Sequence, residues 1–185
     1  MLQNRITRRG SRRRDHALAV AGSITRCFTR HASASGILFL LITPVLSSAA
    51  ESRLAEMPWA CVTVAGESHA VRVAESARLR AAGFQHVPEQ ATRGEAIYFV
   101  YRTPRRPSFH MNNVAVPLTL AWIAPDNRVL RVIRIQPNSS GHRPSARVRG
   151  VLELAPGHPL VSRINAGTRI SPPRLQAHAG ARPAC

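Results

Sequence analysis

The sequence predicts a mainly β domain, an antiparallel sandwich or barrel-like arrangement with one or two short helices. Short alternating or continuous apolar runs of strand length recur between residues 61 and 170. Glycine, proline and asparagine clusters punctuate them at turn spacing. With 185 residues, of which 44% are hydrophobic and 19% charged, the chain holds one domain and enough apolar material to bury its core.

Residues 1–50 read as a signal peptide. A basic stretch containing Arg8-Arg9 and Arg12-Arg13-Arg14 precedes a window, Ala32 to Ala50, that has no charge. Inside it, residues 36–46 form an apolar core of leader length, and Ser47-Ser48-Ala49-Ala50 supplies the small residues that signal peptidase needs near Ala49 or Ala50. The competing expectation is an uncleaved anchor, because the uncharged window approaches the ~20 residues of a membrane span. Pro44 and the serines weaken that alternative. The expected location is therefore periplasmic or secreted, the alternative being attachment to the inner membrane through the leader.

After a linker at 51–60, Cys61–Val64 and His69–Val73 alternate around Gly66 and suit a hairpin. Glu75 to Ala82 has helical character, closed by Gly83. Ala96–Tyr101 is a continuous branched and aromatic run, expected to be a central strand ended by Pro104-Arg105-Arg106-Pro107. Ser108–Met111, Val116–Ala124 and Arg128–Ile135 are expected to form a meander, with a turn at Pro125-Asp126-Asn127. A polar loop at 137–144 leads to a strand at Val148–Leu154. Pro159–Ile164 supplies one or two helical turns, and Thr168-Arg169-Ile170 closes the sheet. Residues 171–185, rich in Pro, Ala, Gly and Arg, are expected to be a disordered tail.

The formal charge is +17, and every basic residue behind it is an arginine. Both the first 50 residues and the remainder are basic. Such a surface favours anionic partners in general, and export argues against nucleic acid as that partner. Cys27, Cys61 and Cys185 are too scattered for a zinc site. Once the leader is removed, Cys61 and Cys185 can either remain as thiols or join, tying the tail to the first strand.

Four segments resemble the bacterial and archaeal domain of unknown function 192 over roughly residues 62–170. Ser108-Phe109-His110-Met111-Asn112-Asn113-Val114-Ala115-Val116-Pro117-Leu118 is similar to that family's Phe-Trp-Met-Lys-Asn signature followed by Pro-Leu. Ala96–Tyr101 resembles its Gly-Met-Leu-Phe strand, and Gly83 the glycine after its helix. Val151-Leu152-Glu153-Leu154 with Gly157 resembles its Val-Leu-Glu-Leu element, and Gly167–Ile170 its closing turn. The resemblance implies a small, mainly antiparallel β domain often found behind a signal peptide. His110 stands where the family has tryptophan, Asn112 where it has lysine, Thr119 where it has aspartate, and Phe84-Gln85 where it has Leu-Met. These departures remove two charges from any polar site the family shares.

The candidate ligand-binding residues are Phe109, His110, Met111, Asn113, Pro117 and Glu153. Asn113, beside a strand-to-loop corner, can lock its own turn or contact a ligand. His110-Met111 carries copper-ligating atom types, but adjacent strand residues face opposite ways, and Met111 is expected in the core. Glu153 lies between Leu152 and Leu154, so it is expected to point away from them, toward the surface and an arginine. A buried glutamate there would be a candidate acid. Tyr98, Phe99 and Tyr101 near Arg102, Arg105 and Arg106 are expected to be core aromatics followed by a solvated basic turn. No nucleophile elbow, phosphate loop or metal-protease helix occurs in the sequence, so no catalytic residue, metal or cofactor is assigned.

The expected function is a non-enzymatic, monomeric exported module binding a small or envelope-derived ligand. The alternatives are an envelope-acting enzyme using Glu153, Asn113 or His110, and a basic structural protein on an anionic envelope polymer. Placement separates them. A recess shared by Glu153 and His110 favours catalysis, an apolar pocket at Asn113 favours ligand binding, and one face formed by Arg102, Arg105, Arg106 and Arg143 favours polymer.

Overall fold

Ala65 and Gly66 both adopt positive φ, 50° and 87°, the two-residue turn whose twist matches a tight hairpin. They join β1 (Trp59–Val64) to β2 (Glu67–Ala74), which pair in antiparallel register from Trp59↔Arg72 to Val64↔Glu67. The computed structural model describes residues 53–175 and 180–185; the expected leader lies outside the described residues. Among the described residues no helix is long and apolar enough to cross a membrane.

Two short helices follow, α1 (Ala77–Ala82) and α2 (Glu89–Thr92). The Ser76 side chain accepts from the Leu79 N–H and caps α1, and Gly83, at φ 50°, ends it. The remaining strands are β3 (Ala96–Arg105), β4 (Leu118–Ile123), β5 (Val129–Ile135), β6 (Val148–Leu154) and β7 (Arg174–Leu175). A short 3-10 turn occupies Pro159–Ser162, capped by His158.

These strands form one sheet in the order β5-β4-β6-β3-β2-β1-β7, and the domain is mainly β as expected. The sheet is mixed, because β2 and β3, joined through the helices, run parallel. It does not close into a barrel, although bridges Val64↔Ile170 and Arg128↔Arg169 place the 169–170 segment against both β1 and the approach to β5.

Three local expectations need correction. β3 continues through Pro104 to Arg105, because its pairing with β6 breaks between Val100 and Arg105 and a proline there removes no ladder hydrogen bond. Ser108–Met111 is not a strand and makes only the Phe109↔His142 bridge, and β6 inserts between β3 and β4, so the order is not a simple meander. The tail expected to be disordered pairs with β1 through Arg174–Leu175 and is joined to it by a Cys61–Cys185 disulfide.

Alternation along the central strands separates two cores. Ile97, Phe99 and Tyr101 of β3 pack with Leu120, Trp122 and Val151 on one face, under Leu79, Phe84, Met111 and Val116 from the helices and the loop before β4. Tyr98, Ala121, Leu152 and Leu154 face the other way, against Val62, Val71, Leu160, Ile164 and Ile170. Both faces of β6 are therefore buried, which its VRGVLEL sequence encodes as a nearly continuous apolar run.

Candidate functional site

Glu153 is the exception in that run. Its place on β6 puts it beside Ile97 of β3 and Leu120 of β4, on the face that carries Phe99 and Val151. The expectation that it points away from Leu152 and Leu154 holds, but the surface salt bridge does not form, because helix α1 and the 108–114 loop cover that face. Glu153 is only 5% exposed, and its Oε2 has no hydrogen-bond partner. Burial without a compensating cation pushes its carboxyl up from 4.5 to about 8.

The carboxyl lines a recess of about 150 Å³ between the end of α1 and the 108–114 loop. Phe99, Phe109 and Val114 contribute apolar wall, Arg80, Gln85, Ser108 and His110 contribute polar groups, and Tyr101 contributes a phenol. The wall is rigid. Phe109 packs edge-on against Phe99 (centroids 5.0 Å apart) and against Trp122 (5.4 Å). Gly83 borders the carboxyl, since a Cβ added there would lie in ordinary contact, 3.5 Å from Oε2.

Charge is distributed unevenly around this recess. The Arg80 guanidinium lies 5.4 Å from the Tyr101 ring centroid and that of Arg105 lies 5.6 Å from it. Burial raises the Tyr101 phenol to about 12, Arg80 and Arg105 pull it back, and Glu153 pushes it further up. His110 is exposed at the rim, where its Nδ1 accepts from the Asn112 backbone N–H at 3.4 Å.

Of the sequence candidates, the structure brings Phe109, His110 and Glu153 to one recess. Met111 is fully buried in the core, its backbone bonded to Ser139, Val114 and Asn138. Asn113 is exposed at φ 59°, a left-handed turn position that suits asparagine, and its carbonyl accepts from the His86 N–H at 2.7 Å. Neither Asn113 nor Pro117 lines the recess. Sequence reasoning missed Arg80, Phe99 and Tyr101 as lining residues. The alternation of Phe99 and Tyr101 with Tyr98 carried that signal, since it puts them on the same face as a β6 residue paired in register.

A second buried ionisable group, His158, has a local role. Its Nδ1 accepts from the Leu160 N–H at 3.2 Å, capping the 3-10 turn, and burial lowers its pKa to about 4 despite a hydrogen bond to the Ala70 backbone. Among the described residues there is no group of three or more His, Cys, Asp or Glu side chains placed to hold a metal.

Solved structures share this fold. A "putative transcription regulator" from Sinorhizobium meliloti 1021 superposes with a TM-score of 0.54 at 21% identity, covering 62% of this chain and 94% of that one. A protein of unknown function from Novosphingobium aromaticivorans DSM 12444 gives 0.50 at 22% identity, covering 61% and 84%. At these identities the likeness speaks for the fold alone. No curated protein matches the chain. The model of one family, DUF192, described as "Uncharacterized ACR, COG1430", matches residues 60–172, which is more than half of the chain. The four segments and the mixed sheet they build thus have a family: this chain belongs to DUF192.

Proposed function

We propose that this chain is an exported binding module that takes the hydrogen-bonding head of a small ligand into the recess floored by Glu153. The observation that carries the reading is that Glu153, a lining residue of the recess, has a buried Oε2 without a hydrogen-bond partner. An unsatisfied buried polar atom is destabilising unless something else meets it, and a ligand is the partner such a pocket can admit. With its pKa near 8 the carboxyl keeps its proton at neutral pH, so it offers one donor and one acceptor side by side. A carboxamide or another neutral donor-acceptor head complements that pair. The volume of about 150 Å³ accommodates a head of roughly benzene size.

Export is supported by the basic, apolar and small-residue order of residues 1–50 and by the Cys61–Cys185 disulfide, which an oxidising compartment preserves. Two measurements test the reading. Fractionation with N-terminal sequencing of the expressed full chain is expected to give a periplasmic product starting near Ala50, whereas a full-length cytoplasmic product refutes export. A screen of small amides, amines and carboxylic acids by thermal shift is expected to find binders among neutral amides. Glu153→Leu is expected to abolish their binding; retention of affinity in that variant refutes the site.

The second reading is catalysis, which the recess shared by Glu153 and His110 supports and for which a carboxyl near 8 is suited as a general acid or base; binding is put first because His110 is exposed at the rim with its Nδ1 engaged by the Asn112 N–H. It predicts that a bound ligand is chemically altered. Recovery of the ligand unchanged in mass after prolonged incubation decides for binding alone.

A further inference from the structure

The break in β3 pairing opens a second concavity beside the recess. Between Val100, opposite Gly150, and Arg105, opposite Val148, β3 leaves its register with β6. Carbonyls at the edge of the break and within it hold arginines: Val100 O accepts from Arg80 Nη1 and Pro104 O from Arg147 Nη1, both at 3.2 Å. The resulting cleft, about 450 Å³, is lined by Arg80, Arg102, Arg105, Arg147, Tyr101 and Glu75, with Thr103 and Pro104 between them.

Four arginines and a single acid, Glu75, thus line one cleft. Among the described residues none of the four takes part in an ion pair, whereas Arg72, Arg163 and Arg182 each meet a carboxylate. Arg80 and Arg105 flank Tyr101, which fixes their spacing. A guanidinium offers five N–H donors, and the hydrogen bonds made here engage only Nη1 of Arg80 and of Arg147, so most of the donors lining the cleft are free for a ligand.

We propose that this cleft binds a phosphoryl group. A carboxylate is satisfied by a single arginine fork; four guanidiniums around one cleft suit a group with more oxygens and more charge. The cleft shares Arg80 and Tyr101 with the Glu153 recess, so one ligand can span both, its neutral head on Glu153 and its phosphoryl on the arginines. That spanning arrangement rests on the recess reading; the phosphoryl site rests on the arginines alone.

The test uses the full chain, with inorganic phosphate and pyrophosphate as probes in calorimetric titrations. Pyrophosphate is expected to bind, and the double variant R102Q/R105Q to weaken it about tenfold or more, as expected for the loss of charge-assisted hydrogen bonds. The remote pair R131Q/R134Q, exposed on β5, is expected to change affinity less than about twofold. Equal losses in both double variants reveal diffuse electrostatics and overturn the proposal, as does absence of binding by both probes and by vesicles. Flotation with phosphatidylcholine vesicles, with and without phosphatidylglycerol, distinguishes the source of the phosphoryl. Binding only to the anionic vesicles, lost in R102Q/R105Q, places it on a lipid and supports the site. Binding to them that survives in R102Q/R105Q overturns it. If pyrophosphate binds and no neutral amide does, the cleft stands and the recess reading alone falls.

Discussion

Replacing Glu153 by glutamine is expected to stabilise the folded domain, and to do so more as the pH rises. In the unfolded chain this carboxyl titrates near 4.5, and in the folded chain near 8. Between those values the native state holds a proton that the unfolded state has released, so stability falls with rising pH through the window. At about 1.4 kcal/mol per pH unit, the penalty is near zero at pH 4.5, about 3 kcal/mol at pH 7, and about 5 kcal/mol above pH 8. His158 acts with the opposite sign. Its pKa is lowered from 6.5 to about 4, so its contribution is complete above 6.5 and is lost as the pH falls toward 4. The two slopes offset each other between about 4.5 and 6.5, and wild-type stability is expected to be flat there and to decline from 6.5 to 8. Urea unfolding at pH 5, 7 and 9 checks this. E153Q is expected to remove the decline above 6.5, leaving the rise due to His158. A difference between wild type and E153Q that is the same at pH 5 and pH 9 refutes the assignment of Glu153 as a buried, unpaired acid.

Other outcomes follow from the same geometry. Gly150→Ala places a Cβ 2.7 Å from the Tyr98 ring and hydroxyl, with both packed inside the sheet, and is expected to cost about 1 to 3 kcal/mol in urea unfolding. Phe109→Ala removes the ring held between Phe99 and Trp122 and is expected to cost about 3 to 5 kcal/mol, with loss of amide binding at the recess in the folded fraction. Reduction of Cys61–Cys185, or Cys185→Ser, opens a loop spanning 124 residues and is expected to lower stability by about 4 to 5 kcal/mol. It also frees Arg182 from the Trp59 ring, so Trp59 fluorescence is expected to change with the transition.

The hairpin at Gly66, the capped helix before Gly83 and the β6 strand were legible because each depends on local chemistry: positive φ, a cap, a branched run. The position of β6 was not. Sequence neighbours pair by default, and nothing in Val148–Leu154 itself says that it enters between β3 and β4. Glu153 was misjudged for the same reason. Its direction follows from alternation, but whether that direction means water or core depends on what covers the sheet, and the cover comes from α1 and the 108–114 loop. Asn113 was singled out for its corner, and the corner exists, but the amide belongs to a left-handed turn outside the recess. Of the arginine cleft, Arg102 and Arg105 were named for a basic face with Arg106 and Arg143, but Arg80 and Arg147 were not, because a strand through Pro104 is visible only once its register break is known.

The insertion of β6 also sets the order in which this domain can be completed. A chain that has reached residue 147 possesses β3 and β4, yet each lacks the neighbour that β6 provides, leaving two strand edges able to pair with another chain. The contacts that seal them, Phe99 with Val151 and Trp122 with Val151, span long stretches of sequence, so folding is expected to be slow and to wait for the C-terminal third. Truncation before residue 148 is therefore a distinct lesion from a weakened core: it leaves a sticky half-sheet, and the acid of the recess never enters the molecule.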